Sequence, residues 1–284
     1  MTETFIPKSK EEALKLLNQR KCIILAGGTN LMVKRKKWSG EMADFGSDIV
    51  LIKHLKELQN IDINNKYLSI GAGCTLAELQ ESILLGAYFS EIILAIASQT
   101  IRNAATIGGN ICNVASEGDI LPLLYALDAT LIIECLNGTR EIAISDFIME
   151  PGKKDLREDE LLVEIRIPTN MLLSYYYKKV GTKRSNSLAK ASFIGLYKLE
   201  NERIEDVRMA FGAIGARVVR SREFENSLKG LNKEELQVVL KDLEKEYIKI
   251  IVPIDDKKKS TAEYRKGICL ELMREFLESI YNRD

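Results

Sequence analysis

The chain carries one short pattern twice: Leu25-Ala26-Gly27-Gly28-Thr29-Asn30-Leu31, and far downstream Ala105-Thr106-Ile107-Gly108-Gly109-Asn110-Ile111. Each copy has a small or apolar lead, paired glycines, a short polar residue and an aliphatic one. Glycine permits positive φ and lets another group approach the main chain, and successive amides in a turn form a concavity for phosphate oxygens. A single Gly-Gly pair is ordinary turn punctuation. Two copies point to two main-chain grips on one extended anion such as a diphosphate, presented by bare amides at both turns. A fold that uses them must bring distant segments of the chain together.

Around the first copy, Ser9 to Arg20 reads as an amphipathic helix capped by Ser9, with Ala13, Leu14, Leu16 and Leu17 as its apolar face. Cys22 to Leu25 is a buried strand that runs into the glycine turn, and Ile49 to Ile52 is a second strand, so the opening fifty-odd residues form a small β-α-β unit. The basic run Lys34-Arg35-Lys36-Lys37 is either a solvated face or a feature that screens phosphate or steers a partner. Tyr67 to Gly73 is strand then turn, and Thr75-Leu76-Ala77-Glu78 is a capping box opening a helix to about Leu85. Gly71-x-Gly73 lacks the third glycine of a dinucleotide fingerprint, so no Rossmann fold is expected. Ser90 to Ala97 gives a further apolar helix that leads to Arg102-Asn103 and the second glycine turn.

Beyond that turn, Ile120 to Leu127 reads as a buried helix that tolerates Pro122 in its first turn. Asp119 either caps it or offers a carboxylate to ligand hydroxyls. Asn137-Gly138 marks a hairpin between Leu131 to Ile133 and Arg140 to Ile144, and Leu161 to Ile167 alternates as a half-exposed strand into Pro168. Downstream of a boundary near 168–173, Tyr175 to Val180, Ala191 to Leu199 and Val207 to Gly212 read as three antiparallel strands. Helices follow over Ser221 to Leu228, Lys233 to Tyr247 and Thr261 to Ile280, with Asp255 to Ser260 as an exposed linker.

Composition narrows the function classes. The 284 residues, 46% hydrophobic and 29% charged, suffice for one large or two medium domains without staples. Lys plus Arg equals Asp plus Glu at 41 each, so no global field recruits nucleic acid or a membrane surface. Cys22, Cys74, Cys112, Cys135 and Cys269 are scattered, which suits reduced thiols rather than a disulfide frame or a metal knot. The acidic N-terminus shows no secretory signal, and the apolar stretch Ile92 to Ile101 is too short to span a bilayer, so a cytoplasmic location without membrane insertion is expected. His54, the lone histidine, has no nucleophile or metal-ligand partner at motif spacing, and the carboxylates form no acid/base pair. No catalytic side chain is nominated. The hard chemistry is expected to come from a bound cofactor.

With the spacing of its two glycine turns, the chain resembles the FAD-binding (medium) subunit of the molybdenum hydroxylase family, the xanthine dehydrogenase and carbon monoxide dehydrogenase flavoprotein type. Asp119, Glu160-Leu161-Leu162 through Pro168, Tyr177-Lys178-Lys179-Val180 and Ser260-Thr261-Ala262-Glu263-Tyr264-Arg265 extend the likeness across nearly the whole chain. The resemblance implies an α+β chain. A two-lobed FAD-binding domain of the vanillyl-alcohol-oxidase type over 1–172 (lobes about 1–57 and 58–172) would precede a smaller α+β domain over 173–284, with a three-stranded antiparallel sheet and helices, covering one side of the flavin.

By residue matching, Leu25, Ala26, Gly27, Gly28, Thr29, Asn30, Leu31 and Met32 with Thr106, Ile107, Gly108, Gly109 and Asn110 would hold the cofactor. Asp119 would bind a sugar-chain hydroxyl, Ile96 would flank the flavin, Leu162 and Lys178 would contact the ring region, and Leu188 would lie beside the isoalloxazine. Ser187 stands where relatives often carry aspartate. Valine at both Gly27 and Gly108 is expected to abolish flavin retention with the fold largely formed.

The resemblance further implies that molybdopterin and two [2Fe-2S] clusters sit on partner subunits, a large and a small one. No cluster is expected on this chain, whose cysteines are dispersed. FAD would pass electrons from the partner's [2Fe-2S] clusters to NAD or another acceptor, with purine-type hydroxylation the first expectation for the complex. Two other readings stay open: a free-standing FAD-dependent reductase of the same fold, which should carry its own substrate base, and a non-catalytic nucleotide-binding scaffold subunit.

Overall fold

The computed structural model describes residues 2–35, 44–115, 118–150, 152–169, 174–183, 187–253 and 260–282. Lys36 and Lys37 of the basic run, 170–173 of the expected boundary and Asp255 to Lys259 of the expected linker lie outside them. The chain divides into two compact units, Met1–Ala115 with Asp128–Thr169, and Ser116–Leu127 with Asn170–Asp284.

The first unit opens with β1 (Thr4–Phe5), α1 (Lys10–Gln19), β2 (Cys22–Leu25), α2 (Leu31–Lys34) and β3 (Asp48–Leu51). The strands form a parallel sheet in the order β1-β3-β2, which realises the expected β-α-β start. Ser9 caps α1 by accepting the Glu12 amide at 3.2 Å. The apolar stripe Ala13, Leu14 and Leu17 packs with Val50, Ile52, Leu55 and Leu58 and with Ile132, Leu161 and Val163, so one helix serves the small sheet and a larger one.

That larger sheet begins with β4 (Ile61–Ile63) and β5 (Tyr67–Gly71). The chain then runs through α3 (Leu76–Glu81), α4 (Ala87–Leu94), α5 (Gln99–Arg102), α6 (Ile107–Cys112) and α7 (Leu121–Ala126). It returns as β6 (Thr130–Cys135), β7 (Gly138–Ala143), α8 (Ile144–Phe147), β8 (Ile148–Glu150), β9 (Lys153–Lys154) and β10 (Leu161–Pro168). The order β4-β5-β10-β6-β7 puts β10 in the centre, with Ile165 opposite both Ile70 and Leu131. The capping box at Thr75 and Glu78 forms, but α3 stops at Glu81 because Ser82 turns extended. The hairpin also forms, although Cys135 pairs with Gly138 and the two turn residues are therefore Leu136 and Asn137. Arg140 on β7 is held by Glu160 at 2.7 Å and Asp155 at 3.1 Å.

The second unit contains β11 (Ser174–Gly181), β12 (Ala189–Glu200) and β13 (Arg203–Gly212) in one antiparallel sheet, followed by α9 (Arg222–Ser227), α10 (Lys233–Ile250) and α11 (Ala262–Ser279). One face of the sheet, with Phe193, Tyr197, Met209 and Phe211, joins Leu243, Tyr247, Met273 and Phe276 from the helices in a single core. Phe276 sits 5.5 Å from Phe193 and 6.0 Å from Tyr197, ring centre to ring centre, in tilted contacts.

Sequence reading places 116–127 in the first domain, whereas in the structure its described part, 118–127, packs in the second unit. The cause is local. All six residues of α7 are buried, and its last turn is tied to the sheet side by cations. Arg208 Nη1 donates to the Ala126 carbonyl at 3.0 Å, and Arg220, which pairs with Glu225 at 2.9 Å, donates to the Tyr125 carbonyl.

Candidate functional site

The first glycine segment leaves an edge strand. After β2 the Leu25 carbonyl still accepts the Ile52 amide at 3.1 Å, and Gly27 then comes so close to another segment that a Cβ would lie 2.0 Å from the Ala104 carbonyl oxygen. Gly28 follows at φ +70°, a conformation glycine adopts without cost. The turn closes into α2, where Met32 N donates to Gly28 O at 2.9 Å and Lys34 N to Asn30 O at 3.0 Å. Between these anchors the amides of Gly27, Gly28, Thr29, Asn30 and Leu31 find no acceptor among the described residues. They form a half-buried run of donors, the kind of main-chain run that a turn can offer to an oxyanion.

The second segment is built differently, and the expectation of bare amides there is corrected. Thr106 caps α6, and its hydroxyl accepts the Gly109 amide at 3.1 Å. Ile107 N donates to Cys74 O at 3.0 Å, Gly108 N to Ala72 O at 2.9 Å, and Asn110 N to Thr106 O at 2.9 Å. The glycines serve packing: a Cβ on Gly108 would lie 2.7 Å from the Ala72 carbonyl oxygen. Valine at Gly27 and Gly108 would therefore collide with backbone at both sites, which overturns the expectation that this pair leaves the fold largely formed.

The two segments are nevertheless brought together within the first unit. Gly27 rests on Ala104 and Ala105, Asn30 Nδ2 donates to Asn113 Oδ1 just past α6, and Lys34 Nζ reaches the same oxygen at 3.1 Å. Asn110 adds a buried Oδ1 with no partner among the described residues, an acceptor suited to a ligand hydroxyl. Leu162 is buried on β10, and its neighbour Val163 accepts the Ala72 amide at 2.9 Å, one step from the Gly108 bond. Ile96 lies in the turn between α4 and α5, where its carbonyl accepts from Arg102 Nη1 at 3.0 Å. Met32 is exposed at the mouth of the first segment. Cys74, whose carbonyl holds Ile107, is fully buried, and burial pushes its thiol up to about 12.

Asp119, Lys178 and Leu188 belong to the second unit. Asp119 does not cap α7, whose cap residue is Ile120 with no side-chain bond. Its Oδ2 instead meets Lys179 Nζ at 2.6 Å, both side chains about nine-tenths buried. Lys178 points to the other face of β11 and is exposed, its Nζ 5.9 Å from the Tyr176 ring centre. Leu188 is exposed, and Ser187 Oγ donates to Lys183 O at 3.0 Å. Motif reading missed Lys179, which holds Asp119 within the second unit, and Asn113 and Arg102, which hold segments of the first. Strand alternation, which sets Lys179 with Tyr177 and Tyr175 on one face, carries the signal for the first; the other two depend on contacts a local pattern does not hold.

Among the described residues no group of three or more His, Cys, Asp or Glu could hold a metal ion, and no helix is long and apolar enough to cross a membrane. Residues 1–170 match the family described as the FAD binding domain in molybdopterin dehydrogenase, and residues 175–280 match the CO dehydrogenase flavoprotein C-terminal domain. The chain is 34% identical over 194 residues to the FAD subunit of nicotinate dehydrogenase from Eubacterium barkeri, a match spanning 64% of each chain. It is 29% identical over 281 residues to the glyceraldehyde dehydrogenase medium chain of Sulfolobus acidocaldarius, covering 95% of each. Among solved structures, a chain of carbon monoxide dehydrogenase from Hydrogenophaga pseudoflava superposes with a TM-score of 0.83 at 26% identity, covering 96% of this chain and 95% of that one.

Proposed function

We infer the function from one premise: the chain belongs to the family of FAD-binding domains of molybdopterin dehydrogenases. It is the FAD-carrying subunit of an oxidoreductase of the molybdenum hydroxylase type. On our reading the amides of Gly27 to Leu31 take the diphosphate of FAD, and Asn110 accepts from a cofactor hydroxyl. Asn30 and Asn113 clamp the loop to α6, and Ile96 shields the flavin. The single observation that carries this reading is the run of five amides without acceptors among the described residues, fixed against Ala104 and Ala105. FAD supplies the electron-carrying chemistry between [2Fe-2S] clusters on a small partner subunit and NAD or another acceptor.

A molybdopterin-binding large subunit completes the complex and selects its substrate. The relatives support that division of labour, since their names assign nicotinate, glyceraldehyde and carbon monoxide to enzymes that each have a chain resembling this one. The purified chain is expected to be yellow, or to become so with added FAD; a colourless protein that cannot be reconstituted removes the reading. Isolation from the native cell with molybdenum and iron in the accompanying chains tests the partners. NAD reduction by that complex tests the acceptor.

A further inference from the structure

We propose that Arg102 is a positioning residue of the flavin site, a buried guanidinium without a carboxylate partner that holds the turn carrying Ile96 and favours the reduced, more negative state of bound FAD. The proposal rests on the reading that Ile96 lies beside the flavin. Arg102 is only 7% exposed. Its Nη1 donates to the carbonyls of Ile96 at 3.0 Å, Ala97 at 3.1 Å and Leu94 at 3.5 Å, and its Nη2 to Gln99 Oε1 at 2.7 Å. Carbonyl dipoles satisfy these N–H groups but leave the positive charge uncompensated, and among the described residues no Asp or Glu pairs with it. Nε is buried with no partner among the described residues. A buried positive charge with no counter-ion favours the more negative state of any group beside it.

The turn it grips is itself strained. Ala97 sits at φ +45°, a conformation a non-glycine residue keeps only where its surroundings hold it, and the guanidinium bonds the carbonyls of both Ala97 and the residue before it. Immediately after Arg102 the chain passes through Asn103, whose carbonyl takes Lys53 Nζ at 3.4 Å, to the Ala104 and Ala105 backbone that backs Gly27. One side chain thus ties the Ile96 turn to the wall of the first glycine loop.

The test uses the full chain reconstituted with FAD, reading FAD affinity, the flavin absorption and circular dichroism bands, and the midpoint potential by dye equilibration. Arg102→Lys keeps the charge but cannot span three carbonyls and Gln99, so it is expected to shift the flavin bands and weaken FAD binding about tenfold while the potential stays close to that of the parent. Arg102→Met is expected to lower the potential as well. Ile96→Ala is the control for the underlying reading: flavin bands and affinity unchanged in that variant mean that Ile96 does not flank the flavin. If Ile96→Ala perturbs the flavin and Arg102→Met keeps the parental potential, the proposal for Arg102 is overturned while the Ile96 reading stands. Should Arg102→Met fail to fold or to hold FAD, Gln99→Ala decides, because Gln99 is exposed and braces the guanidinium: altered flavin bands support the proposal and parental bands overturn it.

Discussion

The two glycine segments share a sequence pattern and differ in what their backbones do. Around Gly27 and Gly28 the main chain turns through a positive φ and leaves five amides unclaimed by any described residue; around Gly108 and Gly109 it enters a helix whose first amides are all taken by Ala72, Cys74 and Thr106. The same dipeptide is a donor cradle and a packing notch in one place and a packing notch alone in the other. A Gly-Gly signature therefore reports that something comes close to the chain, and only the fate of the amides tells whether that is a ligand or the protein itself.

The largest expected effect comes from filling the notches. Gly27→Val and Gly108→Val each place a Cβ inside backbone contact distance, so both should lose at least the ~1–3 kcal/mol typical of overpacking, several degrees in thermal midpoint by circular dichroism. A Gly108 variant that melts with the parent would erase the packing half of the comparison. Next, Gly28→Ala forces alanine to φ +70° and should cost about 1–2 kcal/mol in urea unfolding, whereas Thr106→Ala, which removes the α6 cap, should cost about 1 kcal/mol.

A smaller change separates the segments by hydrogen exchange. Removing FAD should speed exchange at Gly27 to Leu31 and leave Ile107 to Asn110 slow, since those amides have protein acceptors either way; equal acceleration in both would merge the two roles. Least of all should change at Cys74. Burial raises its pKa to about 12, so the thiol stays protonated and alkylates slowly at neutral pH, with the rate climbing only as the pH approaches that value. Rapid labelling at pH 8 by mass spectrometry would mean that the 72–76 strap holding α6 opens readily.

Much of the scaffold was legible because its signals are local. The capping box at Thr75 and Glu78, the alternation from Leu161 to Ile167 and the apolar face of α1 each specify an element within a few residues. The second glycine segment misled because Thr106-Ile107-Gly108-Gly109 reads as a turn, while the acceptors that make it a helix start lie more than thirty residues upstream, at Ala72 and Cys74. Asp119 misled in a similar way: its position suggests a cap, yet Lys179, sixty residues away, claims its carboxylate. Lys178 and Lys179 are adjacent in sequence, but a strand sends them to opposite faces, and the buried one is the second.

The loan of α7 to the second unit has a consequence during synthesis. Its six inward residues leave the ribosome well before β12 and β13, the strands they cover, exist. A truncated product ending at 170 would carry an orphaned greasy helix and should clump, whereas a rearranged gene that fuses 116–127 ahead of 174 would give that helix its sheet at once.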